Sequence, residues 1–457
     1  MKLGRISLIV VALLVALAVP AGVSAQGPSS YTVGFQVANL DSANDANIVI
    51  TYYNQNGTTN TTFNDTIAAD DSNTYFPIHA SDGFNGSVVV SSDREIAAIV
   101  NLLGDGGTFG GASYDSFSQG AASANIPLVL RNFYGIYTWF NVQNTGSVAA
   151  DVTVTYVGSP SPTCTDTATI EPGAAATFAQ ATSSCLVDNF IGAATVATGG
   201  SEQTVAVAVV QHDSQSLLAY NGFTTAGSAE PVMPLVSHKY YNSRTAIQIQ
   251  NTGLTATDVT VTYTPSSGFP GATCSETKTV PAGGSENFGD SGLFEATGDP
   301  CGPMSGSSPT QFGFVGSAKV TANTQSQNLV AIVNTLTSGT ANAAAYSAFD
   351  ASVATDKVSL PLIMDRNYGI FTGFSIANVG TQATNVACTF SGTSYTVSQN
   401  NLQPGAAATF VQLNEIANGY AGAGTCTATG GDALIVAVVS ELGGQGDALL
   451  YYEGFNY

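Results

Sequence analysis

Short runs in which apolar and polar residues alternate fill the chain from Tyr31 onward, each closed by Gly, Pro or Asn, and the runs recur as a set. Four of them end on an anchoring asparagine: "FQVAN" at Asn39, "FNVQN" at Asn144, "IQIQN" at Asn251 and "FSIAN" at Asn378. The anchors lie 105, 107 and 127 residues apart, a fixed period with one insertion. Each is followed by a second β-branched alternating run, "ANIVITYY", "ADVTVTY", "TDVTVTY" and "TNVACTF". Alternation of this kind marks a half-buried strand. A Pro-Gly or Pro-Ala-Gly turn then leads into "AAATFAQ", "GSENF" or "AAATFVQ", with "SNTYFPI" as the looser first version. Next come aromatic-x-Gly strands ("FNGSVVVSS", "FIGAATVAT", "FVGSAKVTA", "YAGAGTCTA") and a nearly continuous apolar strand ("IAAIVNLL", "VAVAVVQHD", "LVAIVNTL", "LIVAVVSEL"). Every unit closes on Tyr-x-x-Phe, beginning at Tyr114, Tyr220, Tyr346 and Tyr452.

The pattern predicts six or seven strands in roughly 100 residues per unit, with no helical period beyond the first residues. The expected fold is all-β: four tandem immunoglobulin-like antiparallel β-sandwich repeats forming an elongated rod. The expected boundaries are 26–125, 126–232, 233–359 and 360–457. The third unit carries a Gly/Ser/Pro-rich loop insertion over 289–311.

A further block opens only the last three units. "IPLVLRNFYGIYTWFNVQNTG" (from Ile126) aligns without gaps to "MPLVSHKYYNSRTAIQIQNTG" (from Met233) and "LPLIMDRNYGIFTGFSIANVG" (from Leu360), with Pro, Leu, Tyr, Thr, Asn and Gly invariant. In unit one the Pro-Leu columns fall at Gly22 and Val23. Residues 1–25 read as a secretory signal: Lys2 and Arg5, then the apolar "ISLIVVALLVALAV", then "VSA" ending at Ala25. Removing it strips unit one of the block. One end of the array is then short of a strand, and an unfilled sheet edge invites strand addition and self-assembly.

Composition narrows the functional classes. Charged residues are only 9% of the chain; without the signal, 8 basic residues face 31 acidic ones, a net charge of −23. That balance repels nucleic acid and anionic membrane surfaces. The signal core is short for a membrane span and no second long apolar run follows, so no transmembrane anchor is expected. Six cysteines in an exported chain read as disulfides, one pair per unit in units two to four. Cys164/Cys185 and Cys274/Cys301 take equivalent places, while Cys388 and Cys426, in the second and fourth strands, are placed to bridge the two sheets.

Candidates for chemistry are few. His79, His212 and His238 lie at unrelated places without metal spacing and read as surface or loop residues. No cofactor is expected; calcium is entertained only near Asp41 and Asp45, although the acids there lack the calcium-loop pattern. Glu95 and Glu441, which a glycosidase reading would need, look like strand-end solubilising charges. No nucleophile elbow or phosphate-binding glycine motif occurs, and the chain reads as a non-enzyme. Unit one holds Asn-x-Ser/Thr sequons at Asn56, Asn60, Asn64 and Asn85, the first three within "NQNGTTNTTFND", which reads as a Thr/Asn-rich hairpin. The one Trp, Trp139, shares a strand face with Tyr137, either as a glycan-stacking pair or as a contact with the neighbouring domain.

The blocks "PLV/PLI…YG…T…N-x-G", "DVTVTY", "PGAAATF", "F-x-G-S/A" and "Y-x-G-F" resemble tandem repeats in secreted proteins of filamentous, Chloroflexota-type bacteria, over essentially the whole mature chain. The resemblance implies an extracellular, cell-surface-associated array with no catalytic residues. The leading expectation is a structural or interaction protein of sheath, filament or adhesion type. Its partners would be itself, other surface proteins or polysaccharide. A carbohydrate-binding array is the alternative.

Overall fold

The computed structural model describes residues 9–13, 27–160, 163–269, 271–289, 293–294, 301, 313–324, 327–443 and 449–457. Unit one contains β1 (Ile9–Leu13), β2 (Tyr31–Asn39), β3 (Ala46–Asn54), β4 (Thr59–Ile67), β5 (Ser72–Tyr75), β6 (Gly86–Ser92), β7 (Ile96–Gly104) and β8 (Gly110–Asp115). They form two antiparallel sheets, β1-β6-β3-β4 and β5-β2-β7-β8. Unit two repeats the order with β9 (Ser123–Arg131), β10 (Tyr137–Asn144), β11 (Ala150–Ser159), β12 (Cys164–Ile170), β13 (Ala175–Ala179), β14 (Phe190–Thr198), β15 (Val205–His212) and β16 (Leu217–Asn221). Its sheets are β9-β14-β11-β12 and β13-β10-β15-β16. Units three and four keep the plan; in unit three a single pair, His238 with Arg244, merges the two sheets.

Among the described residues units one and two therefore have eight strands, and units three and four nine, rather than six or seven. One not anticipated in units two to four follows the second alternating run: Cys164–Ile170, Cys274–Val280 and Thr396–Leu402. These are edge strands in which exposed Thr, Ser and Asn alternate with partly buried, largely polar residues. Such a strand lacks the apolar signal because polar edges resist unwanted pairing. The opening strands of units two to four begin at Ser123, Pro231 and Lys357, slightly ahead of the expected boundaries. Most of the expected 289–311 insertion lies outside the described residues.

The all-β sandwich class holds, but the rod does not. The outer face of each unit's second sheet packs into the core of the unit before it, and the series closes on itself. Unit one's core takes in Trp139, Ala206, Ala208 and Val210 of unit two. Unit two's takes Ile332, Ala343 and Ala345, unit three's takes Val438, Leu449 and Tyr451, and unit four's takes Ile99 of unit one. This explains why "VAVAVVQH" is buried at every position: one face fills its own sandwich and the other fills its neighbour's.

The invariant asparagines clamp the loop that follows each second strand. Asn144 donates to the carbonyls of Val148 (2.7 Å) and Ile170 (2.8 Å) and accepts from the Gly146 N–H (2.9 Å). Asn251 and Asn378 repeat all three bonds one and two units later.

Candidate functional site

Three places carry chemistry that packing of a single sandwich does not account for. The first is the centre of the ring. The residue after each closing tyrosine, namely Asp115, Asn221, Ser347 and Glu453, meets its counterparts there. The Asp115 N–H donates to Asn221 Oδ1 (2.9 Å) and Asn221 Nδ2 donates to the Asp115 carbonyl (2.8 Å). Asn221 N–H donates to Ser347 Oγ (3.2 Å), Ser347 N–H to a Glu453 carboxylate oxygen, and Glu453 N–H to Asp115 Oδ1 (3.3 Å). Burial, and then the neighbouring Glu453 carboxylate, push the Asp115 carboxyl well up; burial also raises Glu453. A proton held between the two removes the repulsion of adjacent buried carboxylates.

Glu441 is the correction to the solubilising-charge expectation. It is 1% exposed and accepts from Asn101 Nδ2 of unit one at 3.0 and 3.2 Å. Burial raises its carboxyl to about 7, against the opposing bonds from Asn101 and Ser113. Register shows that Leu102, Gln211, Thr335 and Glu441 are equivalent, as are Asn101, Val210, Asn334 and Ser440. Each junction uses this pair of positions with different chemistry. Leu102 and Val210 are apolar, Gln211 and Asn334 exchange amide bonds, Thr335 and Ser440 meet the Tyr451 hydroxyl, and Glu441 meets Asn101.

The second place is a set of turns. The invariant block tyrosines, Tyr134, Tyr241 and Tyr368, sit at the tips of tight hairpins joining the opening strand to the second. All three have left-handed backbone, with φ of 51°, 48° and 50°, and the following Gly135, Asn242 and Gly369 are also positive. This is the type I′ pattern, which favours Asn and Gly and disfavours a large side chain. Yet the three residues are 89%, 57% and 97% exposed. The invariant column was legible in the sequence, where a bulky aromatic stands at a position whose turn chemistry calls for asparagine.

The third is the junction of units one and two. Trp139 is 6% exposed and lies edge-on to Tyr31 at 5.7 Å, so of the two expected roles for this side chain it makes the inter-domain contact. Tyr137 stacks on His212 at 6.0 Å. His212 and His238 are buried strand-end residues rather than surface ones. Burial lowers the His212 pKa. His79 lies on Phe63 at 3.7 Å.

Disulfides join Cys164 to Cys185, Cys274 to Cys301 and Cys388 to Cys426. The last does not bridge the sheets, because the second and fourth strands are neighbours and Cys388 faces Cys426 within one sheet. At the entertained calcium position, Asp41 accepts from the N–H groups of Ala43 (2.9 Å) and Asn44 (3.0 Å) and meets Arg94 at 3.7 Å, while Asp45 accepts from the Ala69 N–H (3.2 Å). Among the described residues no group of three or more His, Cys, Asp or Glu is placed to hold a metal ion. No helix among them is long and apolar enough to cross a membrane.

No protein family matches the chain, and no curated protein matches it. Among solved structures it is similar to one titled "Crystal structure of tetra-tandem repeat in extending region of large adhesion protein", at 14% identity over 98% of each chain. The TM-score of 0.13 is too low for the two overall arrangements to correspond.

Proposed function

We propose that this chain is an exported, non-catalytic interaction module of the cell exterior: a rigid ring of four sandwiches that engages its partner through the turn-tip tyrosines. The observation that carries this reading is the trio Tyr134, Tyr241 and Tyr368. A residue kept in three repeats, exposed and held in backbone that opposes it, is retained for what it touches outside the fold. Low charge, three disulfides and acidity suit an extracellular setting. The alternative, a carbohydrate-binding array, draws on the same rings, whose apolar faces and hydroxyl tips suit sugars as well as proteins.

The test is a triple Tyr→Asn variant at these positions. Asparagine tolerates left-handed backbone, so stability should stay level or rise, by up to about 1 kcal/mol per site. Binding of the purified protein to producing cells or to a glycan array should fall at least tenfold. Retained binding by a well-folded triple variant would refute the role of the tyrosines. Binding confined to glycans would select the carbohydrate alternative.

A further inference from the structure

In units two to four the opening strand fills one edge of the first sheet. β9 pairs antiparallel with β14, and Pro231–His238 and Lys357–Asp365 do the same in their units. The block thus belongs to the sandwich that follows it, which makes unit one the unit in question. The opening strand is buried on both faces along most of its length, which accounts for the apolar run "IPLVL". It is also held from the core. The Tyr220 hydroxyl donates to the Leu128 carbonyl (2.7 Å), Tyr346 to that of Leu235 (2.6 Å), and Tyr452 to that of Leu362 (2.5 Å). The invariant leucine column of the block and the closing tyrosine are two halves of one contact.

Unit one has the tyrosine half alone. Tyr114 is equivalent by register, pairing with Val100 as Tyr220 pairs with Val209, and it is 4% exposed. Among the described residues its hydroxyl has no acceptor corresponding to the block carbonyl. Among the described residues the outer edge of β6 is paired only with Ile9–Leu13, five residues of the segment expected to be removed on export. At one end of this slot, where the block's turn lies in the other units, a cleft of about 490 Å³ opens. Tyr31, Val33, Ile78 and Phe84 line it. Unit one also carries Val33 where units two to four have the Thr138, Thr245 and Thr372 hydroxyls that bond the far end of the block.

We propose that the mature first unit is a strand-acceptor site for a partner polypeptide. The occupant is a short, extended, apolar segment that adds antiparallel to β6 and places a carbonyl on the Tyr114 hydroxyl. Its far end enters the cleft through an apolar side chain, Val33 having replaced the threonine clasp. The leader core would fill the slot only until it is cleaved. Strand addition of this kind combines main-chain hydrogen bonds with pockets for alternate side chains. Asp82 in the cleft wall and the negative charge of the chain select against an acidic donor.

The test uses the full mature chain, residues 26–457, and a labelled synthetic peptide SANIPLVLRNFYGI, the sequence of residues 123–136. Trp139, the one tryptophan, contacts Tyr31 of the cleft wall and reports binding by fluorescence. Saturable binding to the mature chain, absent with a scrambled peptide and absent when residues 1–25 are retained, is the expected result. Tyr114→Phe should weaken it about fivefold, the effect of one hydrogen bond, without lowering the melting temperature of the free protein. No binding to the mature chain overturns the proposal, as does equal binding by the leader-bearing chain. Neither result tests the turn-tip tyrosines of the folded chain, which lie on units two to four.

Discussion

Glu441 shows most directly how a residue's role depends on what closes over it. In "VSEL" it reads as a charge ending a strand, and in an isolated sandwich it would be one. Unit one covers it, and its carboxyl rises from 4.5 to about 7. A carboxyl whose folded pKa lies above its unfolded value favours the fold while protonated. The contribution is complete below about pH 4.5 and is lost as pH rises through 7. The difference is about 3 kcal/mol. Asp115 and Glu453, both raised by burial, act in the same direction. The melting temperature of the mature protein should therefore fall between pH 5 and pH 8. Glu441→Gln, which keeps an acceptor for Asn101 without the charge, should flatten that slope; a slope unchanged in the variant would show that Glu441 is not its source. The histidines teach the same lesson: His212 closes an apolar strand and His238 lies in the opening block, and neither stretch of sequence showed that packing would bury its ring.

At the scale of elements, alternation located the strands buried on at least one face, and missed those that lie at an edge with polar residues on both. β12 and its counterparts belong to the second kind. The Pro-Gly turns and aromatic-x-Gly strands were legible because backbone geometry fixes them. Gly192, for example, packs so tightly on Val157 and Gly158 across the sheet that a Cβ would overlap them. The cysteine pairs were legible too, but not the sheet each would staple, because strand order is a tertiary fact. Cys388–Cys426 closes a 38-residue separation. Replacing both cysteines by serine should cost about 4 kcal/mol, read as a lowered denaturation midpoint. A loss much below 1 kcal/mol would mean that the neighbouring strand pairing already supplies the constraint.

For the whole molecule, the decisive feature is that the fourth unit packs on the first. Four equivalent positions at the centre hydrogen-bond in sequence, and each junction pairs different chemistry at one shared pair of sites. That variety fixes the order of units, since a shifted neighbour would leave Glu441 facing Val210 and Asn334 facing Leu102. Small-angle scattering of the mature chain should give a radius of gyration near the compact value, about 22 Å for this length. An end-to-end rod of the same four sandwiches would be roughly twice that. A value near the larger figure would exclude the closed ring in solution.

The sequence by itself determined the period, the strand types, the turns, the disulfide partners and the missing block, because each follows from local backbone and side-chain preferences repeated four times. Tertiary structure alone decided that the units close into a ring, that Trp139 is a junction residue, that Glu441 is buried, and that the missing block belongs to unit one. Those outcomes depend on which outer face meets which core, and a repeat presents the same alternating face to any neighbour. The turn-tip tyrosines lie between the two: their invariance was visible in the sequence, and only the positive φ and exposed rings showed that the fold does not need them.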